Sequence, residues 1–312
     1  MAVKRINNNI EASVYMEARE LGINKVLVAL SGGADSVATA FALKQADIEI
    51  MALHCNFHLR GEESDRDMEF VSNFCLSHSI PLKTKDFDVE EFRKNHKGVS
   101  IEMACRDLRY RWFDEMLQET GYQRIATGHN ADDNIETFLL NMLRGAGSRG
   151  LKGMSRDTGT IWRPLLEYHR NDILLYLNHY KLDFVTDSSN LESDYRRNFL
   201  RNKVIPLIKE EWKGFDKAMD HTIQNINAEN LLVENILSSS LPKRMEPLSI
   251  DIILASPAPL LLIKRFIDPL GPYSSTPREI LSAIKAQKPH IRRWQLRKGS
   301  VALRNRSLYI FK

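Results

Sequence analysis

The first stretch that could do chemistry is a glycine- and serine-rich string between an apolar run and an amphipathic segment. The run Lys25–Leu30 is rich in valine and leucine, which predicts a strand buried on both faces. Ser31-Gly-Gly-Ala-Asp-Ser36 follows this run and precedes an alanine-rich helix. Two adjacent glycines let the backbone approach a ligand closely. Because the first N–H groups of a helix lack intrahelical acceptors and face the positive end of its dipole, the string predicts an anion cradle.

Asp35 is a carboxylate at the place where such a cradle would hold phosphate. A carboxylate beside phosphate makes sense when a divalent cation such as Mg²⁺ lies between the two groups. We therefore predict Asp35 as the metal ligand. The predicted phosphate-binding residues are Ser31, Gly32, Gly33, Ala34, Asp35 and Ser36. The simpler interpretation is a strand–turn–helix joint whose small residues only permit tight packing. The spacing is neither that of a Walker A loop nor that of Gly-x-Gly-x-x-Gly.

A second cluster of ionisable residues reads Gly128-His-Asn-Ala-Asp-Asp-Asn-Ile-Glu-Thr137 and follows a predicted strand, residues 124–127. Asn130 is a good N-cap, and acids in the first turn suit the helix dipole, so a purely structural role is one interpretation. Asp133 and Glu136 stand three residues apart on one helix face, where together they could hold a single ammonium group.

A third cluster places three arginines, Arg106, Arg109 and Arg111, within six residues of a predicted helix. They cannot all face the same way. One interpretation is a solvated face, with Arg111 paired to Glu115 one turn later. The other directs Arg109 towards phosphate, which a guanidinium binds bidentately.

Strands alternate with helices over the first two thirds of the chain, which predicts an α/β fold with a parallel sheet covered on both faces. Ligands of such sheets bind beyond the carboxyl ends of the strands, where the string lies, and the same rule brings Asn56 and His129 to that edge. The polar segment 90–99 is predicted to be an exposed excursion. The glycine-rich segment 144–150, which begins with Arg144, is predicted to be a flexible loop at the mouth of the site.

The chain length of 312 residues favours two domains, which we predict to be residues 1–212 and 213–312. The second is predicted to be mainly helical, with a terminal hairpin. It carries 16 Lys and Arg against 8 Asp and Glu, whereas the first carries 28 against 32. This imbalance indicates a polyanionic partner for residues 213–312 or, with equal weight, only a solvated basic surface.

The composition excludes several classes of protein. The hydrophobic fraction of 43% is ordinary, no apolar run approaches membrane-spanning length, and residues 1–10 lack the apolar core of a signal peptide. The three cysteines, Cys55, Cys75 and Cys105, are scattered and form neither a disulfide framework nor a metal motif. We therefore expect a cytoplasmic protein with no membrane association, whose cysteines act as small buried hydrophobic residues.

The Ser31–Ser36 string resembles the signature of the N-type ATP pyrophosphatases, the PP-loop enzymes, whose fold is adenine nucleotide alpha-hydrolase-like. Over residues 25–210 the ordered motifs resemble one subfamily in particular, the tRNA(Ile)-lysidine synthetases. Besides the string and Gly128–Thr137, these motifs are His54-Cys-Asn-Phe-His-Leu-Arg-Gly61, the Glu102–Tyr110 helix, Leu143-Arg-Gly145, Arg163-Pro-Leu-Leu166, Asp187-Ser-Ser-Asn190 and Arg197-Asn-Phe-Leu-Arg201.

The resemblance implies that ATP activates the C2 oxygen of the wobble cytidine, position 34, in the isoleucine tRNA with a CAU anticodon. The ε-amine of free L-lysine then displaces AMP to give lysidine, and pyrophosphate is the other product. With the patterns above, the predicted catalytic residues are Asp35, Arg109, Asp133 and Glu136, of which the last two would bind lysine. Asn56 and His129 are predicted ATP contacts, and the predicted tRNA contacts are Arg144, Arg196, Arg197 and Arg201.

Other interpretations stay open at this point. A PP-loop tRNA thiolase would need catalytic cysteines, usually paired, and a protein that only binds nucleotide or tRNA would not need the carboxylates near phosphate. The Gly-Asp-Arg-Phe-type terminal domain of many longer members is not recognisable, so we expect either a short form or a truncated chain. Oligomeric state is also open, and a homodimer is among the expected states.

Overall fold

The structure is a computed structural model that describes residues 2–186, 195–243, 246–286 and 292–311; the side chains of residues 2–9 and 195 lie outside the description. The predicted polar turn Asp187–Asn190 also lies outside it. Contacts between residues divide the chain into two units, Met1–Ile226 and Asn227–Lys312. The division falls within one helix, Phe215–Ser240, whereas the pattern of charge and composition had suggested residue 213 as the start of the second domain.

The first unit contains a five-stranded sheet with the order β3-β2-β1-β4-β5, in which every neighbouring pair is parallel. The strands are β1 (Lys25–Ala29), β2 (Glu49–Asn56), β3 (Leu82–Asp86), β4 (Arg124–Ala126) and β5 (Ile161–Trp162). Strand order reverses between β1 and β4, and this is the place where an open α/β sheet forms its ligand crevice. The predicted parallel α/β architecture is confirmed.

The connecting helices of the first unit are α1 (Ala2–Glu20), α2 (Ala34–Gln45), α3 (Glu62–Ser77), α4 (Val89–Asn95), α5 (Ile101–Thr120), α6 (Ala131–Leu143), α7 (Ser148–Leu151), α8 (Arg170–Tyr180), α9 (Tyr195–Phe199) and α10 (Ile205–Glu211). A π-helical turn, Leu200–Val204, joins α9 to α10, and α11 (Phe215–Ser240) follows.

Both faces of the sheet are covered because β1 alternates its side chains between two cores. Val26 and Val28 are fully buried in the core formed with α1, α2 and α8. Leu27 is fully buried on the opposite face, with Trp112 and Phe113 of α5. Burial on both faces explains why β1 reads as a continuous apolar run instead of an alternating one.

Two segments differ from their predicted form. Residues 90–99 are not simply an exposed excursion, because α4 begins at Val89 and buries Val89 and Phe92 against Ala104 and Cys105. These apolar residues are three positions apart and so share a helix face, which the polar composition of the segment obscured. The glycine-rich segment 144–150 contains the start of the single-turn helix α7, tied to α6 by the 2.8 Å hydrogen bond from Asn141 to the Gly150 carbonyl.

The second unit has its own apolar core and a small antiparallel sheet of order β6-β9-β8-β7. Besides the end of α11, its elements are β6 (Leu248–Ser249), α12 (Ile250–Ala255), α13 (Pro259–Ile267), a 3-10 turn (Asp268–Leu270), α14 (Thr276–Lys285), β7 (Arg292–Leu296), β8 (Gly299–Arg304) and β9 (Ser307–Phe311). The unit is mainly helical, as predicted, and the predicted hairpin is part of a three-stranded meander. In the described part of the chain, no helix combines the length and apolar character needed to cross a membrane.

Candidate active site

The Ser31–Ser36 string forms the turn between β1 and α2. Gly32 has a φ of +91°, in the left-handed region that favours glycine, and its carbonyl accepts a 2.9 Å hydrogen bond from the Val185 N–H. Gly33 is the N-cap of α2 and makes no side-chain cap, so the N–H groups of Ala34, Asp35 and Ser36 follow at a helix start without intrahelical acceptors. The geometry is that of an anion cradle.

The two serines of the string brace the turn from within. The Ser36 hydroxyl donates to the Gly33 carbonyl at 2.8 Å and accepts the Ser31 N–H at 3.2 Å. The two hydroxyl oxygens lie 3.1 Å apart, and Ser36 is buried. In this state both hydroxyl groups serve the shape of the turn, so their predicted contact with phosphate would come from a rearrangement of these bonds.

Gly128 brings the end of β4 against this turn. A Cβ atom at Gly128 would lie 2.7 Å from the carbonyl carbon of Asp35 and 2.9 Å from the Ser36 nitrogen, which is closer than real Cβ atoms approach backbone. A side chain at this position would therefore push the turn and the segment 127–130 apart. The sheet edge thus brings the two predicted clusters into direct contact.

Asp35 lies in this junction with its side chain 27% exposed. Its Oδ1 accepts a 3.1 Å hydrogen bond from the Asn130 side-chain amide, and its Oδ2 pairs with the guanidinium of Arg170. Arg170 was not among the predicted site residues. One signal was available, because Arg170 begins α8, and a cation in the first turn of a helix opposes the helix dipole.

Asn130, as predicted, is the N-cap of α6, in a capping box with Asp133. Asp133 and Glu136 share a helix face, also as predicted, but both already have cationic partners. Arg201 Nε lies 2.5 Å from Glu136 Oε1, and its Nη2 lies 2.8 Å from Asp133 Oδ1. Arg197 Nε donates to Glu136 Oε2 at 2.8 Å. Arg197 and Arg201, which were predicted to bind tRNA, thus contact the carboxylates predicted to bind lysine.

The surroundings of Asp133 and His129 shift the pKa values of these two residues in opposite directions. Burial and the neighbouring Glu136 charge raise the pKa of Asp133 to about 6, against the opposing influence of Arg197 and Arg201. Burial, together with nearby arginines, lowers the pKa of His129 to about 3, so its imidazole is neutral near pH 7. His129 Nδ1 lies 2.8 Å from the Thr127 hydroxyl. The site therefore contains a carboxyl group that titrates close to neutrality.

Two further predicted residues lie on the other side of β1. Asn56, at the end of β2, is buried and accepts the His58 N–H through Oδ1 at 3.0 Å. The Arg109 guanidinium lies over the Phe57 ring, 5.4 Å from its centroid. The alternative pairing of Arg111 with Glu115 is wrong: Arg111 lies over Phe92, and Glu115 pairs with Lys85. Both arginines therefore use apolar rings that local sequence spacing does not reveal.

The remaining predicted tRNA contacts are solvent-facing. Arg144 is the C-cap of α6, and Arg196 lies in α9; both side chains are exposed. Their accessibility fits a contact with a large anion.

The donor set around Asp35 fits a hard cation such as Mg²⁺ bound chiefly through phosphate. Mg²⁺ typically takes one or two carboxylates and completes its shell with phosphate oxygens and water. Asp35 offers one carboxylate beside the cradle. Among the described residues, one other group has ligand atoms close enough together to bind a single cation. It consists of Asp132, His169 and Asp216. The Lys209 ammonium, 2.8 Å from Asp216 and 3.5 Å from Asp132, already supplies a positive charge there.

His169 links three elements near the site. Its Nε2 lies 2.9 Å from Asp220 Oδ2 of α11, and its Nδ1 lies 3.4 Å from Asp132 Oδ2 of α6. The neighbouring carboxylates, first that of Asp132 and then that of Asp220, raise the pKa of His169 to about 9. Burial alone would raise the pKa of Asp132, but the neighbouring His169 imidazole and a hydrogen bond from the Arg170 N–H hold it well below its usual range.

This link predicts a pH-dependent stability. The folded pKa of His169 is raised above its unfolded value of about 6.5, so its contribution is fully present below pH 6.5 and is lost as pH rises through about 9. The contribution is at most about 3 kcal/mol. We expect His169→Gln to lower the melting temperature most below pH 6.5, with the difference shrinking by pH 9. The exposed His179→Gln is the control; a constant difference across this range would contradict the link.

Residues 4–208 match the PP-loop domain family, so the chain belongs to that family. The chain is 39% identical over 277 residues to a curated tRNA(Ile)-lysidine synthase from Bacteroides thetaiotaomicron, a match that spans 88% of this chain and 65% of that protein. It is 39% identical over 267 residues to one from Porphyromonas gingivalis, spanning 84% of this chain and 58% of that protein.

These relatives confirm the predicted similarity to the tRNA(Ile)-lysidine synthetases, although the chain spans less than two thirds of their length. A solved structure of the U34-tRNA thiolase NcsA from Methanococcus maripaludis is similar in fold. Its TM-score is 0.58, with 18% identity, over 72% of this chain and 80% of that chain. At this identity the likeness shows the fold alone.

Proposed function

We propose that this chain catalyses the ATP-dependent ligation of L-lysine to C2 of the wobble cytidine, position 34, of the isoleucine tRNA with a CAU anticodon. The observation that carries the proposal is the 3.1 Å hydrogen bond from Asn130, the N-cap of α6, to Asp35. It joins the phosphate cradle to the helix that carries the Asp133 and Glu136 carboxylates. The names of the relatives at 39% identity support the choice of substrate.

In the first proposed step, the C2 oxygen of the cytidine attacks the α-phosphorus of ATP, and the bond to the bridging oxygen of pyrophosphate breaks. The N–H groups at the start of α2 would hold the leaving pyrophosphate. A bound Mg²⁺ would neutralise charge on the phosphates, with Asp35 as its protein ligand. Arg170 would then move from Asp35 to a phosphate oxygen, since a guanidinium binds either anion bidentately. His129 and Asn56 would line the nucleotide site as neutral hydrogen-bonding groups.

In the second step, the lysine ε-nitrogen attacks C2 and AMP leaves with the former C2 oxygen. Free lysine is a poor nucleophile, because its ammonium pKa near 10.4 leaves about one molecule in 2500 neutral at pH 7. Asp133 and Glu136 would attract the ammonium, while Arg197 and Arg201 beside them would lower its pKa and favour the neutral amine. Asp133, with a pKa of about 6, would accept the proton near neutral pH. Arg109 would offset charge on the departing AMP.

The proposal therefore assigns Arg197 and Arg201 to the reaction site, while Arg144 and Arg196 remain proposed contacts to the tRNA backbone. The basic second unit is proposed to contribute further contacts to tRNA. Since ATP, lysine and tRNA are cytoplasmic, we propose a cytoplasmic enzyme.

A thiolase-like function is the second candidate and is disfavoured by the cysteines. Cys75 and Cys105 are buried, and Cys55 is half-buried. Burial raises the pKa of Cys55 to about 12 and that of Cys75 to about 11, and it also raises that of Cys105. Thiols in such surroundings are poor nucleophiles and poor cluster ligands, because both roles use the thiolate.

Product analysis tests the proposed function. With ATP, lysine and the isoleucine tRNA transcript present, we expect AMP and pyrophosphate in equal amounts, with lysine incorporated into the tRNA. A transcript with uridine at position 34 is the matched control and should support neither product. Formation of ADP and phosphate, or product formation independent of lysine and tRNA, would refute the proposal.

A further inference from the structure

The outer face of the meander β7-β8-β9 carries an unusual set of side chains. The register pairs Trp294 with Val301, and Val301 with Ile310; the side chains of all three belong to the core of the second unit. The intervening positions therefore point away from that core. They include Arg293, Arg304, Tyr309 and Phe311, which we call the arginine–aromatic face.

The four side chains of this face contact one another. The Arg304 guanidinium lies 4.4 Å from the Tyr309 ring centroid and 5.8 Å from that of Phe311. The Arg293 guanidinium lies 5.3 Å from the Phe311 centroid, and its Nε donates to the Ser300 hydroxyl at 2.8 Å. Ser300 is only 2% exposed although it shares the outer face, as expected if these long side chains cover the middle of the sheet. The guanidinium groups are thus held in place before any ligand arrives.

The charge of the face is unbalanced. Residues 292–311 contain six Lys and Arg and no Asp or Glu, and the last acidic residue of the chain is Glu279. Of these six, Arg306 is paired, with Asp251 at 2.5 Å. Within the described ranges, Arg293 and Arg304 show no carboxylate within 4 Å, in contrast to the carboxylate-bound Arg170 and Arg201 of the first unit.

We propose that the arginine–aromatic face binds the phosphate backbone of RNA, and specifically of the tRNA that is the proposed substrate; the choice of tRNA rests on the proposed function. A guanidinium held over a ring keeps polar edges available for a phosphate, and it loses little conformational entropy on binding. The Cα atoms of Arg293 and Arg304 are diagonal neighbours on β7 and β8, about 8 Å apart, and each guanidinium has its own N–H donors for phosphate. The face is cationic, which complements a polyanion.

The test compares two full-length double variants that remove the same charge from the same unit. Arg293→Gln/Arg304→Gln removes the face, and Arg278→Gln/Arg306→Gln removes two exposed arginines outside it. Affinity for the fluorescently labelled isoleucine tRNA transcript would be measured by anisotropy over a series of KCl concentrations. We expect the face variant to bind tRNA at least about tenfold more weakly. The slope of log K against log[KCl] should become less negative by about two. The control should stay within about threefold, with its slope unchanged.

Two further variants keep the test independent of folding. Arg293→Lys/Arg304→Lys retains the charge and should restore most of the affinity, whereas Tyr309→Leu/Phe311→Leu retains both arginines and should weaken binding by a smaller factor. Thermal melting checks that each variant is folded. Equal loss in the face and control variants would overturn the proposal, as would unchanged tRNA affinity accompanied by lost binding to vesicles of anionic phospholipid.

The outcome is separable from that of the proposed function. If the wild-type protein binds tRNA through this face but forms no AMP, the proposed reaction is refuted and the proposed tRNA contact is supported. If the face variant keeps wild-type tRNA affinity and salt dependence while lysine ligation proceeds normally, the proposed tRNA contact is refuted and the proposed reaction is supported.

Discussion

Asp35→Asn is expected to abolish AMP formation while the protein stays folded. The carboxylate is the proposed ligand that fixes Mg²⁺ against the phosphates, and an amide cannot supply the negative charge. We expect a decrease in adenylation of roughly a hundredfold to a thousandfold or more, the scale on which single electrostatic contacts to a transition state act. Raising the Mg²⁺ concentration should recover part of the loss, because the variant's defect lies in metal affinity.

The fold should tolerate this change. The new side chain can still accept the hydrogen bond from Asn130, and the lost pair with the 40% exposed Arg170 contributes no more than about 1 kcal/mol. Asp47→Asn is the matched control, since Asp47 is exposed and has a φ of +57°, which asparagine adopts readily. A variant that retains full adenylation at limiting Mg²⁺ would show that Asp35 serves only the turn and its pair with Arg170.

Asp133→Asn is expected to separate the two half-reactions. Adenylation of the tRNA should persist, because the phosphate cradle is untouched, while lysine transfer should fail or require far more lysine. Arg201 keeps its bonds to Glu136 in this variant, so the structural cost is limited. Single-turnover transfer to pre-adenylated tRNA, as a function of lysine concentration, measures the effect.

The same assay gives a pH signature. Asp133 is proposed to act in its ionised form, and burial together with the Glu136 charge raises its pKa to about 6. In the wild type, transfer should therefore fall as pH drops below about 6, approaching tenfold per pH unit, and level off above it. This fall in transfer at low pH should be absent from Asp133→Asn, and it should remain in the control variant of an exposed acid, Asp114→Asn. Loss of adenylation before any change in lysine dependence would instead assign Asp133 to ATP or to the helix cap.

Glu136→Gln should show the same separation of half-reactions but with a large loss of stability. Glu136 is 1% exposed and holds the guanidinium groups of both Arg197 and Arg201. Removing its charge weakens the hydrogen bonds of two guanidinium groups that are themselves 31% and 39% exposed, a change of roughly 1.5 to 3 kcal/mol. Melting curves must therefore accompany this variant, and its kinetics are informative only below its melting transition.

The local features of the site were predictable from sequence because each depends on residues close together in the chain. Two glycines beside a helix start define the anion cradle, and Asn130 with Asp133 defines a capping box through a spacing of three. The alternation of apolar strands and helices implies a parallel sheet, and the sheet then brings the ends of β1 and β4 together. The PP-loop fold and the shared face of Asp133 and Glu136 follow from such short-range patterns.

The charge partners were decided by the tertiary structure alone. Arg170 is 135 residues from Asp35, and Arg201 is 65 residues from Glu136, so no local spacing indicates which acid each arginine meets. Burial, which raises the pKa of Asp133 and lowers that of His129, also depends on the packing of distant elements. The arginine–aromatic face likewise exists only because the register of three strands places Arg293, Arg304, Tyr309 and Phe311 side by side. Sequence sets which groups are available, and the long-range packing of the chain sets which of them meet.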